Sequence, residues 1–199
     1  MTPVYKLSAS SITGRTTYGS MLAGNSAYIP PSFESIATVT ASGGETSLTF
    51  SSIPSTYQHL QMRYIGMDNS GGTSAGALKI RLNSDTGANY TEHRLTGNGS
   101  TASAGGTTGR VELRMDYGVT QSGSTNIYAV GIMDLHDYAN TSKYTTMRGF
   151  GGQDKNGTGF VNLSSGLWLN TAAVNAITVL PESSAFASGS TFALYGIKS

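Results

Sequence analysis

Residues 157–199 read GTGFVNLSSGLWLNTAAVNAITVLPESSAFASGSTFALYGIKS. This stretch predicts an apolar strand over Phe160–Leu169, a polar turn at Asn170 and Thr171, a short strand over Ile177–Leu180, a Pro/Ser/Gly loop, and a last strand over Thr191–Ile197. In the last strand Phe192 and Leu194 share one face, while the smaller Thr191 and Ala193 share the other. A strand in that position is held only by pairing with an earlier one. The expectation is a closed β module.

Composition agrees with that reading. Of 199 residues only 12% are charged, whereas Gly numbers 26 and Ser and Thr are abundant, a balance that suits short strands and tight turns rather than helices. Net charge is +1, which supplies no basic face for a phosphate backbone, so nucleic acid is not an expected partner. With no cysteine there is no disulfide framework, thiolate nucleophile or Cys-based zinc site. No run of about 18 apolar residues and no basic-then-apolar leader occurs, so neither a membrane partner nor a secretory signal is expected.

Working back from the C-terminal stretch, strict alternation of Leu78, Ile80 and Leu82 against Lys79 and Arg81 marks a strand over Ala77–Leu82. His59–Met67 alternates Leu60, Met62 and Tyr64 with Gln61 and Arg63. Glu34–Ala41 followed by Ser42-Gly43-Gly44 and Leu48–Phe50 predicts an early hairpin. Tyr90–Leu95, Val111–Met115 and Tyr144–Phe150 are further strands. Asn126–Leu135 is apolar enough to be buried on both faces. Residues 68–76, 96–109 and 151–159 are Gly/Ser/Asn-rich and predict surface loops. The fold class that follows is all-β: an antiparallel two-sheet β-sandwich of jelly-roll type over residues 33–199, with an up-and-down barrel as the alternative. Its expected core comprises Ile36, Leu60, Leu78, Ile80, Leu82, Ile127, Val130, Ile132, Leu167, Trp168, Ile177, Val179, Phe192 and Leu194.

Residues 1–32 stand apart. They carry Val4, Tyr5, Leu7, Ile12, Tyr18, Met21, Leu22, Tyr28 and Ile29 without a period of 2 or 3.6, and end in Pro30-Pro31-Ser32. That is more apolar surface than a solvated tail carries. An extended anchoring arm that lies in a groove of a neighbour is the expectation, with Tyr5, Leu7, Ile12, Tyr18, Met21, Leu22, Tyr28 and Ile29 as its partner-binding residues. A loosely packed leader is the bland alternative.

Side chains that carry chemistry are sparse. The histidines are His59, His93 and His136, and no Gly-x-Ser-x-Gly elbow accompanies them. Asp134 and His136 fall on one strand face at metal-ligand spacing, with Asp137 on the opposite face, although capping of loop amides explains them as well. Glu92, Glu112 and Asp116 are the carboxylates from which a glycosidase pair would be drawn, and they read as a solvated face. Gly105–Gly109 lacks the lysine and helix of a phosphate cradle. Trp168 reads as a core filler, with stacking on a sugar as the sharper alternative. Eleven Tyr against six Phe and one Trp suit surfaces that meet other surfaces. No catalytic residue, metal or cofactor is assigned.

Four segments, Phe50-Ser-Ser-Ile-Pro-Ser-Thr-Tyr57, Asp137-Tyr-Ala-Asn-Thr-Ser-Lys143, Gly166-Leu-Trp-Leu-Asn-Thr171 and Gly189-Ser-Thr-Phe-Ala-Leu-Tyr-Gly-Ile-Lys198, carry a resemblance across residues 34–199. The chain resembles a broad family of small virion structural proteins of tailed bacteriophages, found on tails, baseplates, fibres or head surfaces. That resemblance implies a non-enzymatic role, a homotrimer, other virion proteins as partners, assembly in the host cytoplasm, and residence in the virion. The alternative function is a module that binds a host surface glycan or receptor through its Gly/Ser-rich loops.

Overall fold

The computed structural model describes residues 32–198. Among these there is no helix and 57% of residues lie in strands. The strands are β1 (Phe33–Thr40), β2 (Leu48–Phe50), β3 (His59–Asp68), β4 (Ala75–Leu82), β5 (Tyr90–Gly97), β6 (Ala102–Arg110), β7 (Leu113–Gln121), β8 (Ala129–His136), β9 (Thr145–Asp154), β10 (Gly159–Trp168), β11 (Ile177–Pro181) and β12 (Thr191–Ile197).

They join into one mixed sheet of twelve strands. One antiparallel run has the order β1-β12-β3-β8-β9-β10-β5-β6. A second has the order β2-β11-β4-β7. The two meet where the end of β3 runs parallel to β7, with Met67 opposite Thr120 and Asp68 opposite Gln121.

The alternation read in the sequence decides which side chains point inward. Leu60, Met62 and Tyr64 of β3, Leu78, Ile80 and Leu82 of β4, Ile177 and Val179 of β11, and Phe192 and Leu194 of β12 are all buried. Between the two runs β7 contributes Leu113 and Met115, which lie over β9 and β10 where those strands have no side chain: a Cβ on Gly149 would sit 2.9 Å from Met115 Cε, and one on Gly166 2.6 Å from Leu113 Cδ2. Aromatic rings fill the remaining volume. Phe192 stacks on Tyr64 at 5.7 Å and meets Phe186 at 5.0 Å. Each such ring removes roughly 150–250 Å² from water, which makes these contacts the largest single contributions to the core.

Several expectations are corrected. The β1–β2 hairpin does not form: β1 pairs with β12 and β2 with β11, because long-range partners with matching apolar faces outcompete the local turn. Gly43 and Gly44 still need their positive φ of 106° and 111°, but for a corner that carries the chain from one run to the other. The loop expected over 96–109 is largely strand β6, held by its ladder to β5 from Tyr90↔Arg110 to Gly97↔Ala102. Its small residues give no periodic signal of their own. Asp68 is the fully buried last residue of β3 and Ala75 already belongs to β4, so the 68–76 loop is shorter than expected. The 151–159 loop shrinks likewise, since β9 runs through Asp154 and β10 starts at Gly159.

Strand β8 is not buried on both faces. Val130 and Ile132, expected in the core, are 54% and 39% exposed, and Met133 and Leu135 fill the interior instead. Ile36, Ile127 and Leu167 are only half-buried. Tyr90, Leu113, Met115, Tyr138, Met147 and Phe186 are core residues that alternation did not single out.

Candidate interaction surface

Most of the chemistry-bearing side chains that the sequence singles out are engaged in the framework. Asp134 accepts from Gln61 Nε2 at 2.9 Å and pairs with Arg148 at 3.0 Å. His136 lies opposite His59, ring centroids 5.0 Å apart, and His59 Nδ1 accepts the Asp137 backbone N–H at 3.0 Å. The Asp137 carboxylate takes bonds from Lys143 and, at 2.9 Å, from Gln58 Nε2; these two donors hold it below the usual carboxylate range. His136 and Asp137 thus both border His59, while Asp134 is taken up by Gln61 and Arg148, so the three do not form one centre. Among the described residues no group of three or more His, Cys, Asp or Glu could hold a metal ion.

Glu92, Glu112 and Asp116 are not a solvated face. Glu92 is 2% exposed and sits between Arg110 at 2.7 Å and Arg94 at 3.2 Å. Arg94 continues to Asp116 at 2.8 Å, Asp116 to Arg114 at 3.3 Å, and Arg114 to Glu182 at 2.5 Å. Glu112 pairs separately with Arg81 at 3.4 Å. An alternating chain of this kind neutralises each carboxylate and stitches β5, β6 and β7 to the segment after β11; it leaves none free as a nucleophile or proton donor. Trp168 is 1% exposed, which removes it as a sugar-stacking platform. His93 borders β6, where Gly106 makes room for its ring.

The unusual feature is the outer face of β3, β8, β9, β10 and β5. Register places two rows of side chains there. One runs Ile65↔Val130↔Gly152↔Val161↔Gly97, the other Arg63↔Ile132↔Phe150↔Leu163↔Leu95. Ile65, Val130, Ile132, Phe150, Val161, Leu163 and Leu95 are 39–54% exposed. Together they present on the order of 600 Å² of contiguous apolar surface, the upper end of what a free monomer shows. A third row, Gln61↔Asp134↔Arg148↔Ser165↔His93, forms a polar border along one side.

A groove of about 730 Å³ crosses this face. Its floor is low because Gly152 and Gly159, at outward-facing positions of β9 and β10, carry no side chain, and its walls include Val130, Ile132, Phe150 and Val161. At one end stand the turns after β5 and β9, with Asn98, Asp154 and Thr158. At the other is Arg63, whose guanidinium lies 5.5 Å from the Phe33 ring and 5.9 Å from the Tyr195 ring. Apolar walls with a few polar groups at the ends suit a bound chain or an extended ligand.

Of the groove residues, Val130 and Ile132 were expected in the core and Phe150 and Val161 in strands, without a sign that they faced water, whereas Gly97, Asn98 and residues 151–159 were expected in surface loops. The residues expected to bind a partner, Tyr5, Leu7, Ile12, Tyr18, Met21, Leu22, Tyr28 and Ile29, lie outside the described residues. No protein-family model matches the sequence and no curated protein is significantly similar to it.

Proposed function

We propose that the chain is a non-enzymatic structural module of a tailed-phage virion, attached through its N-terminal arm and associated with copies of itself, most simply as a homotrimer. The observation that carries this reading is the exposed apolar face of β3, β8, β9, β10 and β5, which costs solubility in a free monomer and becomes favourable once covered. The saturated ion-pair chain through Glu92 and Asp116 supports a framework role over a catalytic one. The finer architecture belongs to the same proposal: we read the twelve strands as a two-sheet sandwich of jelly-roll type, a reading supported by β7 lying across the inner face of β9 and β10.

Gold-labelled antibody against residues 33–199, applied to intact particles, tests this directly. Labelling of the head surface or tail is expected; absence of the chain from purified particles overturns the reading. Deleting Thr2–Ile29 separates the arm from the domain. The truncated chain should melt at nearly the temperature of the full one and fail to incorporate, whereas unfolding on truncation would make the arm part of the core.

A second reading is favoured by one observation. The turns after β5 and β9, within the segments that the sequence marks as Gly/Ser-rich loops, converge at one end of the groove with Asn98 and Thr158. A host glycan or receptor peptide seated there would make the chain an adhesion module. Binding of the isolated domain to a glycan array or to host cells, abolished by Phe150→Asp, would promote that reading.

A further inference from the structure

We infer that the groove across β3, β8, β9 and β10 is the receptor for residues 1–31 of a neighbouring copy of this chain, so that copies are joined by exchanged arms. The inference rests on the structural-module reading above and names the surface that would do the joining.

Two apolar features match. The groove is walled by Val130, Ile132, Phe150 and Val161, each at least 39% exposed. Residues 1–31 carry sizeable apolar or aromatic side chains at irregular spacing, which suits an extended segment pressed into a trough rather than a strand or helix with one apolar face. The glycine floor admits a backbone at close range, and the exposed patch is close to the roughly 800 Å² per partner of a standard interface. Charge is compatible as well. Lys6 and Arg15 are the charged residues of the segment, and Asp154 stands at the groove end, where its carboxylate accepts the Asn156 backbone N–H at 2.8 Å.

The position of β1 favours a neighbour's groove over the chain's own. Phe33 lies opposite Ile197, and Ile197 opposite His59, whereas the groove is level with Arg63 and Ile65, roughly 13–20 Å further along β3. The chain therefore enters β1 level with His59, beside the Arg63 end of the groove, and heads toward the level of Ile65 and Val130 only after Phe33. To occupy its own groove the arm would have to turn back over the domain before it reaches β1. Pro30-Pro31 disfavours such a reversal, because proline fixes φ and pushes its predecessor into an extended conformation. Reaching a neighbour is no obstacle, since 31 residues span on the order of 100 Å when extended.

A full-length chain with benzoylphenylalanine in place of Phe150, mixed as ¹⁵N-labelled and unlabelled copies and irradiated, tests the exchange. The expected product joins a peptide from residues 1–31 to the peptide bearing position 150, with heavy–light hybrids as abundant as same-isotope pairs. Same-isotope pairs alone would mean that each arm fills its own groove and would overturn the proposal. Crosslinks between two outer faces, or none to protein, would overturn it too. Val161→Asp, at a 54% exposed position, should leave the melting temperature unchanged and weaken arm capture at least about tenfold; unchanged capture is the contrary result. If the exchange fails while the chain is still found on particles, the groove assignment falls and the structural-module reading stands.

Discussion

Trp168 donates its indole N–H to Asp85 Oδ2 at 2.7 Å, across 83 positions of sequence. The same carboxylate accepts from Asn89 Nδ2 at 2.9 Å and from the Gly87 backbone N–H at 2.8 Å. The only tryptophan of the chain is thus anchored by a charged acceptor while its ring stacks on Tyr90, centroids 6.4 Å apart. Asp85→Ala should cost about 1.5–3 kcal/mol, the range for hydrogen bonds to a charged group, and Asp85→Asn less, since it keeps an acceptor. Urea denaturation followed by Trp168 emission reads both.

Acidification should act through the same group. Partial burial raises the Asp85 pKa, but the bonds from Trp168, Asn89 and Gly87 outweigh it and leave the group below its ordinary 3.8. A folded pKa below the unfolded one means that this stabilisation is complete above about pH 4–5 and is lost as pH falls through the folded value. Denaturation midpoints measured from about pH 6 to pH 2 should fall more steeply for the native chain than for Asp85→Ala. Equal slopes would remove Asp85 from the account.

Glu92 is the least exposed member of the ion-pair chain and the shared partner of Arg94 and Arg110. Glu92→Ala strands two guanidinium groups against each other and should destabilise by roughly 3 kcal/mol. Replacement of Glu112, which holds one partly exposed arginine, should cost under about 1 kcal/mol. A polysaccharide-cleavage assay should give the same blank for wild type and both variants.

The two faces of β9 predict opposite outcomes three residues apart. Met147 is fully buried and Phe150 is 54% exposed. Met147→Ala should cost about 2–5 kcal/mol, while Phe150→Ser should stay within about 0.5 kcal/mol of wild type in the isolated domain and lower the self-association of the full-length chain. A large thermal shift for Phe150→Ser would place that face in the core.

Gly131 sets a limit on the inner side of β8, where an added Cβ would come within 2.5 Å of the Tyr64 hydroxyl oxygen. Tyr64 is buried and stacked on Phe192, so it has little room to yield. Gly131→Ala should cost about 1–3 kcal/mol by overpacking. Combined with Tyr64→Leu, the loss should be smaller than the sum of the two single losses, as contacting sites require.

How much of this was legible depended on side-chain size and on sequence distance. Strands β3, β4 and β12 declared themselves because large apolar residues alternate in them, as Leu78, Ile80 and Leu82 do with Lys79 and Arg81. Strand β6, ASAGGTTGR, has no residue able to declare a face; pairing with β5 makes it a strand. The ion-pair chain joins positions from 92 to 182, beyond any local window, though Glu92-x-Arg94 and Arg114-x-Asp116 placed opposite charges two apart on a strand face and were its visible trace. The apolar outer face hid for a different reason. A continuous run such as Ala129–Leu135 looks the same whether its second face meets another layer or meets water.

The pairing of Phe33 with Ile197, extended by the Lys198 N–H to the Ser32 carbonyl at 2.8 Å, has a mechanical consequence. The two ends of the described chain leave the domain side by side on antiparallel neighbours. Tension applied between them would open the β1–β12 ladder one pair at a time, like a zipper, instead of shearing all its hydrogen bonds at once. Such a ladder yields at low force. A pull transmitted only through the N-terminal side is different, because β1 is then drawn along its own axis past β12 and the whole ladder resists together. The domain is therefore built to hang firmly from one end of its chain and to peel if pulled by both.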